Sequence, residues 1–190
     1  MDANYLATLR NELVRKGLRI EDGLSALEVA RAEDAFGFQF PSDLRLVLEA
    51  FLPVSYKWTP WRSGSHAQLN ELFRGPAEGV EFDIEHNAFW FGTWGPRPTL
   101  NEDALEVARR HLKELPPLIP IYGHRYMPSD PSSAGNPVFS VVQTDVIVYG
   151  NDLAHYFAAE FRVTRPPWSM SEARAIEFWS EVVNRSNETT

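Results

Sequence analysis

The sequence predicts an α+β fold in which a central, mostly antiparallel sheet is flanked by helices in a single domain spanning 1–190. Three observations predict it. Both ends of the chain repeat apolar residues at helical spacing. The middle breaks into short apolar or alternating runs punctuated by Pro and Gly. The 44% hydrophobic and 13% aromatic content of 190 residues is enough for a core without covalent staples.

The elements follow in order. Over 3–16, Tyr5, Leu6, Leu9 and Leu13 recur at helical spacing and Gly17 stops the run. Ser25 opens a second helix, with Glu28 three residues on completing a capping box. Leu27, Ala30 and the Ala35-Phe36 pair supply its expected inner face, and Gly37 ends it. Ser42 caps a third helix, on which Leu44, Val47, Leu48, Phe51 and Leu52 form one apolar stripe until Pro53. Residues 53–65 read as an aromatic loop, and 66–74 as a short helix. Val80 to Glu85 alternates apolar and acidic residues, which predicts a strand with one wet face. Residues 101–115 return to helix, with Leu105, Ala108, Leu112 and Leu115 on one side. Leu118 to Tyr122 is a short strand, Gly123 to Asn136 a long ordered loop, and 138–142 with 146–149 a hairpin turning at Gln143-Thr144. Asn151 or Asp152 caps a helix to Phe161, and a last helix is expected over 171–184 with Ile176, Trp179 and Val183 inward.

Composition removes whole classes of function. With no Cys, a thiolate metal site, a disulfide framework and a Cys nucleophile are all excluded. A net charge of −8 argues against phosphate-backbone binding, so no nucleic-acid partner is expected. The N-terminus has no basic region followed by an apolar one, and no run approaches the length of a membrane span. A cytoplasmic protein without membrane contact is the expectation. Nucleotide-binding glycine motifs, zinc-protease and serine-hydrolase signatures do not occur. The five His residues are scattered with none at i, i+4, so neither a metal site nor a cofactor is expected.

Four groups of residues carry possible chemistry. Asp83 and Glu85 share a face if their segment is a strand. With His86 they could bind a divalent cation or perform acid–base work, or they could be only the wet side of that strand. Glu71, Glu78, Glu81, Asp83 and Glu85 face a single base, Arg74, over 71–87. That run reads either as a patch steering a basic partner or as a solubilising surface. His124, Arg125 and Tyr126 lie in the long loop and are either a binding surface or, for Arg125, the partner of a carboxylate, while Gly135, Asn136 and Pro137 read as a turn. Trp58, Trp61, Trp90 and Trp94 are core or rim packing unless exposed, when they would mark an interface.

Taken together, several segments resemble the SUKH superfamily, which contains the yeast Smi/Knr cell-wall regulators and many bacterial immunity proteins. Leu27 to Leu48 carries Glu33, Gly37 and Phe40-Pro41-Ser42-Asp43-Leu44 in the family's order. Leu52-Pro53-Val54 with Trp61-Arg62 follows, then Gly79 to Glu85 with Phe89-Trp90 and Trp94-Gly95-Pro96-Arg97-Pro98. Ile121 to Tyr126, Gly135 to Val141, Asp145 and Tyr149-Gly150 complete the pattern, which covers about 24–161 and excludes the N-terminal helix and the tail after Pro166. The Asn-Gly step common after the third helix is replaced by Phe51-Leu52-Pro53-Val54, which points to a subgroup.

The resemblance implies an α+β fold and a non-enzymatic protein-binding module. Bacterial members often neutralise toxins, frequently nucleases, so the partner expected is a protein, and a basic toxin fits the acidic balance. The expected contact surface is Trp58, Trp61, Arg62, Glu81, Asp83, Glu85, Trp90, Trp94, Arg97, His124, Arg125 and Tyr126. The rival readings are a metal-dependent hydrolase using Asp83, Glu85, His86 and His124, and a small-ligand sensor built on the Trp-rich loops.

Overall fold

The computed structural model of the chain describes residues 1–188; 189 and 190, the end of the expected domain, lie outside the described residues. Among those described, the order is α1 (Ala3–Arg15), β1 (Ile20–Asp22), α2 (Ala26–Phe36), α3 (Ser42–Ala50), β2 (Phe51–Pro53), α4 (His66–His86) and α5 (Asn101–Glu114). The second half adds β3 (Leu118–Tyr122), β4 (Arg125–Pro128), β5 (Val138–Val142), β6 (Asp145–Gly150), α6 (Leu153–Phe161) and α7 (Trp179–Glu188). The fold is α+β, and its sheets are wholly antiparallel: β1 pairs with β2, and β3 to β6 form a four-stranded meander.

Each strand of the meander sends alternate side chains to opposite faces, and both faces are dry except at the edge strand β6, where Ile147 is 42% exposed. Ile119, Ile121, Met127 and Val138 join one core with Leu44, Val47, Phe51 and Phe157. Leu118, Tyr126, Phe139, Val141 and Val146 join another with Val80, Ile84, Ala104 and Trp179. The sheet is therefore the middle layer, with α2, α3 and α6 on one side and α5, α7 and the second half of α4 on the other, while the first half of α4 packs on α2 through the stacked Phe73 and Phe36 rings, 4.6 Å apart.

The helix starts follow their caps. Ser25 Oγ accepts the Glu28 N–H at 3.3 Å while the Glu28 carboxylate accepts the Ser25 N–H at 2.8 Å. Asp152 caps α6 through the His155 N–H at 2.7 Å. The inner face of α2 is Val29 and Ala32, however, and Leu27 is 60% exposed. At the start of α3, Pro41 occupies the capping position and Ser42 opens the first turn. Phe51 and Leu52 leave the α3 stripe to pair with β1, because Pro53 prevents a further turn.

The predicted strand at 80–85 is instead the last part of the 21-residue α4. Its alternation also satisfies a helical period once the window is widened: Leu69, Pro76, Val80 and Ile84 are buried along one stripe. A two-residue period would bury Phe82 and expose Asp83, whereas Phe82 is 43% exposed and Asp83 only 4%.

Pro76 sits inside α4 and has no N–H to give the Leu72 carbonyl. The Tyr126 hydroxyl, arriving from β4, donates to that carbonyl at 3.2 Å. One turn on, a Cβ at Gly79 would lie 2.8 Å from the Gln143 Cα, so only glycine lets the helix meet the hairpin tip. Asp83 completes the seam: its carboxylate accepts the Thr144 N–H at 2.9 Å and the Thr144 hydroxyl at 2.5 Å.

Two further expectations are corrected. The loop expected over 123–136 contains β4, whose Tyr126 and Met127 bury on opposite faces. The helix expected over 171–184 begins only at Trp179 and runs to Glu188. Its predicted first turns belong to a strap, 162–178, whose polar groups are used elsewhere. The Met170 N–H donates to Asp152 at 2.5 Å, and Arg174 donates to Asn136 Oδ1 at 2.7 Å.

Removing parts of the α4 seam should cost stability in a defined order. Tyr126→Phe leaves the Leu72 carbonyl unpaired and should cost about 1 kcal/mol, and Asp83→Ala, which removes the acceptor of three part-buried donors on Thr144 and Asn87, about 3 kcal/mol. Glu85→Ala, on the wet side of the same helix, should stay within about 0.5 kcal/mol. Urea unfolding of the three variants reads the order directly.

Candidate functional site

The twelve expected contact residues fall into three places. The first is the loop after β2. Trp58 is buried, stacked on Phe161 with centroids 5.4 Å apart and in contact with Tyr122 at 5.0 Å. Trp61 packs edge-on against Phe40 at 5.1 Å. Both are packing residues, as their alternative reading has it. Arg62 clamps the loop to the start of α2. It donates to Glu28 at 2.6 Å and to the carbonyls of Asp22 and Gly23 at 3.1 and 2.8 Å. The guanidinium, then the Ser25 N–H and hydroxyl, holds the Glu28 carboxyl down at about 2. Trp58, Trp61, Arg62 and Arg19 line a cleft of about 370 Å³ above β2.

The second place is the α4–α5 layer. Asp83 points inward to the hairpin while Glu85 points out, because residues two apart on a helix are turned about 200° from each other, and His86 in the last turn is exposed as well. The shared carboxylate face predicted from a strand does not exist. His86 Nδ1 lies 2.9 Å from the Phe82 carbonyl and its ring stacks on Phe82. Glu81 pairs with Arg109 at 2.7 Å and Glu78 with Arg74 at 2.6 Å. Much of the acidic run over 71–87 is thus compensated within the protein. The Trp90 indole N–H donates to the Gly95 carbonyl at 2.7 Å, and Trp94 stacks on Phe178 and His111. Arg97 donates to the Ile84 carbonyl at 3.1 Å and to Asn101 at 2.7 Å, tying the loop to the end of α4.

The third place is the turn between β3 and β4. Arg125 pairs with Glu160 at 2.9 Å, donates to Ser140 at 2.7 Å and lies 3.7 Å over the Tyr149 ring. This is the carboxylate partnership foreseen as its structural reading. Tyr126 is buried in the α4 seam. His124 alone of the three is exposed, and partial desolvation, then neighbouring Arg125, pushes its imidazole below the usual histidine range. Asn136 holds its loop through the Pro128 and Pro131 carbonyls at 2.9 and 2.8 Å.

The structure does not bring Asp83 and His124 to common partners: Asp83 is held by Thr144 and Asn87, while His124 feels Arg125, Lys57 and Glu160. Among the described residues, no three His, Asp or Glu side chains are placed to hold a metal ion.

A fourth feature escaped the sequence. An open cleft of about 640 Å³ runs between the end of α2 and the loop after β4, with Glu33, Asp34 and Asp130 on its walls and Phe38, Pro116 and Pro117 among its apolar lining. Glu33 accepts the Phe40 N–H at 2.9 Å and lies 3.9 Å from Arg45. Among the described residues, no ion pair or side-chain hydrogen bond engages Asp34 or Asp130. The carbonyl end of α2, which stops at the left-handed Gly37, adds partial negative charge. A lysine or arginine side chain from outside would find carboxylates and an apolar wall here. Its walls come from three stretches, 33–39, 116–117 and 129–132, so no local pattern announces it.

The Arg62–Glu28 link makes a pH-dependent contribution. Its carboxyl sits at about 2 in the fold and at 4.5 ordinarily, so the link stabilises above about 4.5 and is lost as pH falls through about 2. Arg62→Ala should raise the Glu28 carboxyl toward its ordinary value in an NMR titration and flatten the acid limb of stability between those limits.

No protein-family model, no curated protein and no solved structure matches the chain.

Proposed function

We propose that the chain is a non-enzymatic protein-binding module that captures a basic partner in the cytoplasm, in the manner of a toxin-neutralising immunity protein. The acidic cleft at the end of α2 carries this reading. It is open, it carries two carboxylates with no internal counter-ion among the described residues, and it has an apolar wall against which the stem of a Lys or Arg can lie. The −8 charge extends the attraction beyond the cleft and speeds encounter with a cationic protein. The resemblance to SUKH proteins supports a partner of the toxin class, and a nuclease, basic so as to hold nucleic acid, suits the cleft's charge.

The test is co-expression with a toxin encoded beside the gene, read as cell survival and as affinity of the purified pair. The wild-type chain should protect and bind. Asp34→Lys with Asp130→Lys should weaken binding at least about tenfold with an unchanged fold. Binding that survives this double reversal removes the cleft from the interface, and failure to bind any neighbour-encoded protein overturns the reading as a whole.

A further inference from the structure

The loop between β2 and α4 ends in an unusual exposure. Tyr56 is 91% exposed, with the Lys57 ammonium 5.8 Å from its ring. The loop beneath it is stiff. The Gly123 N–H donates to the Lys57 carbonyl at 2.7 Å, Trp58 bridges to Tyr122, and the Thr59 hydroxyl donates to the Pro120 carbonyl at 2.7 Å. A protruding tyrosine on a fixed platform costs little ordering when it docks, which is why such residues dominate interface energetics.

The charge around it is opposite to that of the chain. Lys57 also lies 5.6 Å from the Tyr122 ring, and His124 is exposed on the adjoining turn. Arg162, which follows Phe161 at the end of α6, is exposed too. The nearby carboxylate, Glu160, is taken by Arg125 at 2.9 Å. A cationic and aromatic corner thus stands on a protein of charge −8, beside the turn that enters β4, whereas the acidic cleft is lined by residues that follow β4.

We infer that this corner is a second recognition surface, and that its occupant is an acidic segment of a partner protein carrying at least one apolar side chain for Tyr56. The cations attract carboxylates, and the ring offers apolar contact beside them. A nucleic acid is the poorer fit, since its phosphates would meet few cations here and a strongly negative remainder of the protein. The surface does not depend on the cleft proposed above, so either can fail alone.

Fluorescence anisotropy of the full chain with a short labelled peptide of glutamates flanking one leucine tests the assignment. Saturable binding is expected, weakened at least about tenfold by Lys57→Glu and by Tyr56→Ala, and weakened by added salt. Both side chains are on the surface, so unchanged melting of the variants is the check on folding. Asp34→Lys with Asp130→Lys should leave this binding undiminished, which separates the two surfaces. Absence of saturation at about 1 mM peptide overturns the inference. So does equal binding by the Lys57→Glu chain, or preferential binding of an oligothymidylate of similar charge.

Discussion

The seating of α4 on the sheet is the constraint that the rest of the structure depends on. Pro76 removes a donor from the middle of the helix, and Tyr126 on β4 supplies the replacement. Gly79 removes a side chain so that the backbone can approach Gln143, and Asp83 captures Thr144 at the turn. Three neighbouring turns of one helix are thereby matched to one strand, β4, and to the turn between β5 and β6. Once α4 is fixed in this way, α5 packs on its far side through the Glu81–Arg109 pair, and Arg97 ties the intervening loop to its end. The second core then closes with Trp179 and Val182 of α7.

Local rules made much of the fold legible. The capping box at Ser25 and Glu28, the apolar stripe of α3, the hairpin at Gln143-Thr144 and the cap at Asp152 all depend on near neighbours in the chain, and all are present. The errors arose where partners are distant. Alternation over six residues at 80–85 looks like a strand until Asp83 finds Thr144, 61 residues away. The strap at 162–178 looks helical until Asp152, Asn151 and Asn136 claim its polar groups. A buried carboxylate satisfied from another element is invisible to any reading by period.

The site was legible in chemistry more than in place. A surface for cations was expected, but the carboxylates of 71–87 are mostly answered by Arg74, Arg109 and Thr144. The two unpaired carboxylates that the cleft brings together, Asp34 and Asp130, are 96 positions apart in sequence. The tryptophans divide in the same manner. Trp58 and Trp94 stack on other rings and Trp61 packs edge-on, whereas the aromatic side chain that stands clear of the protein is Tyr56, whose neighbours in sequence carry no distinctive pattern.

The two dry faces of the meander have a consequence for how the protein can change over time. The acidic cleft and the Tyr56 corner both rest on the side that holds α2, α3 and α6, while the second half of α4, with α5 and α7, forms a separate core behind the sheet. The strands between them transmit little, because alternate side chains belong to one core or the other and seldom to both. Residues on the side that carries the cleft and Tyr56 can therefore diverge without forcing compensating repacking on the side that anchors the fold.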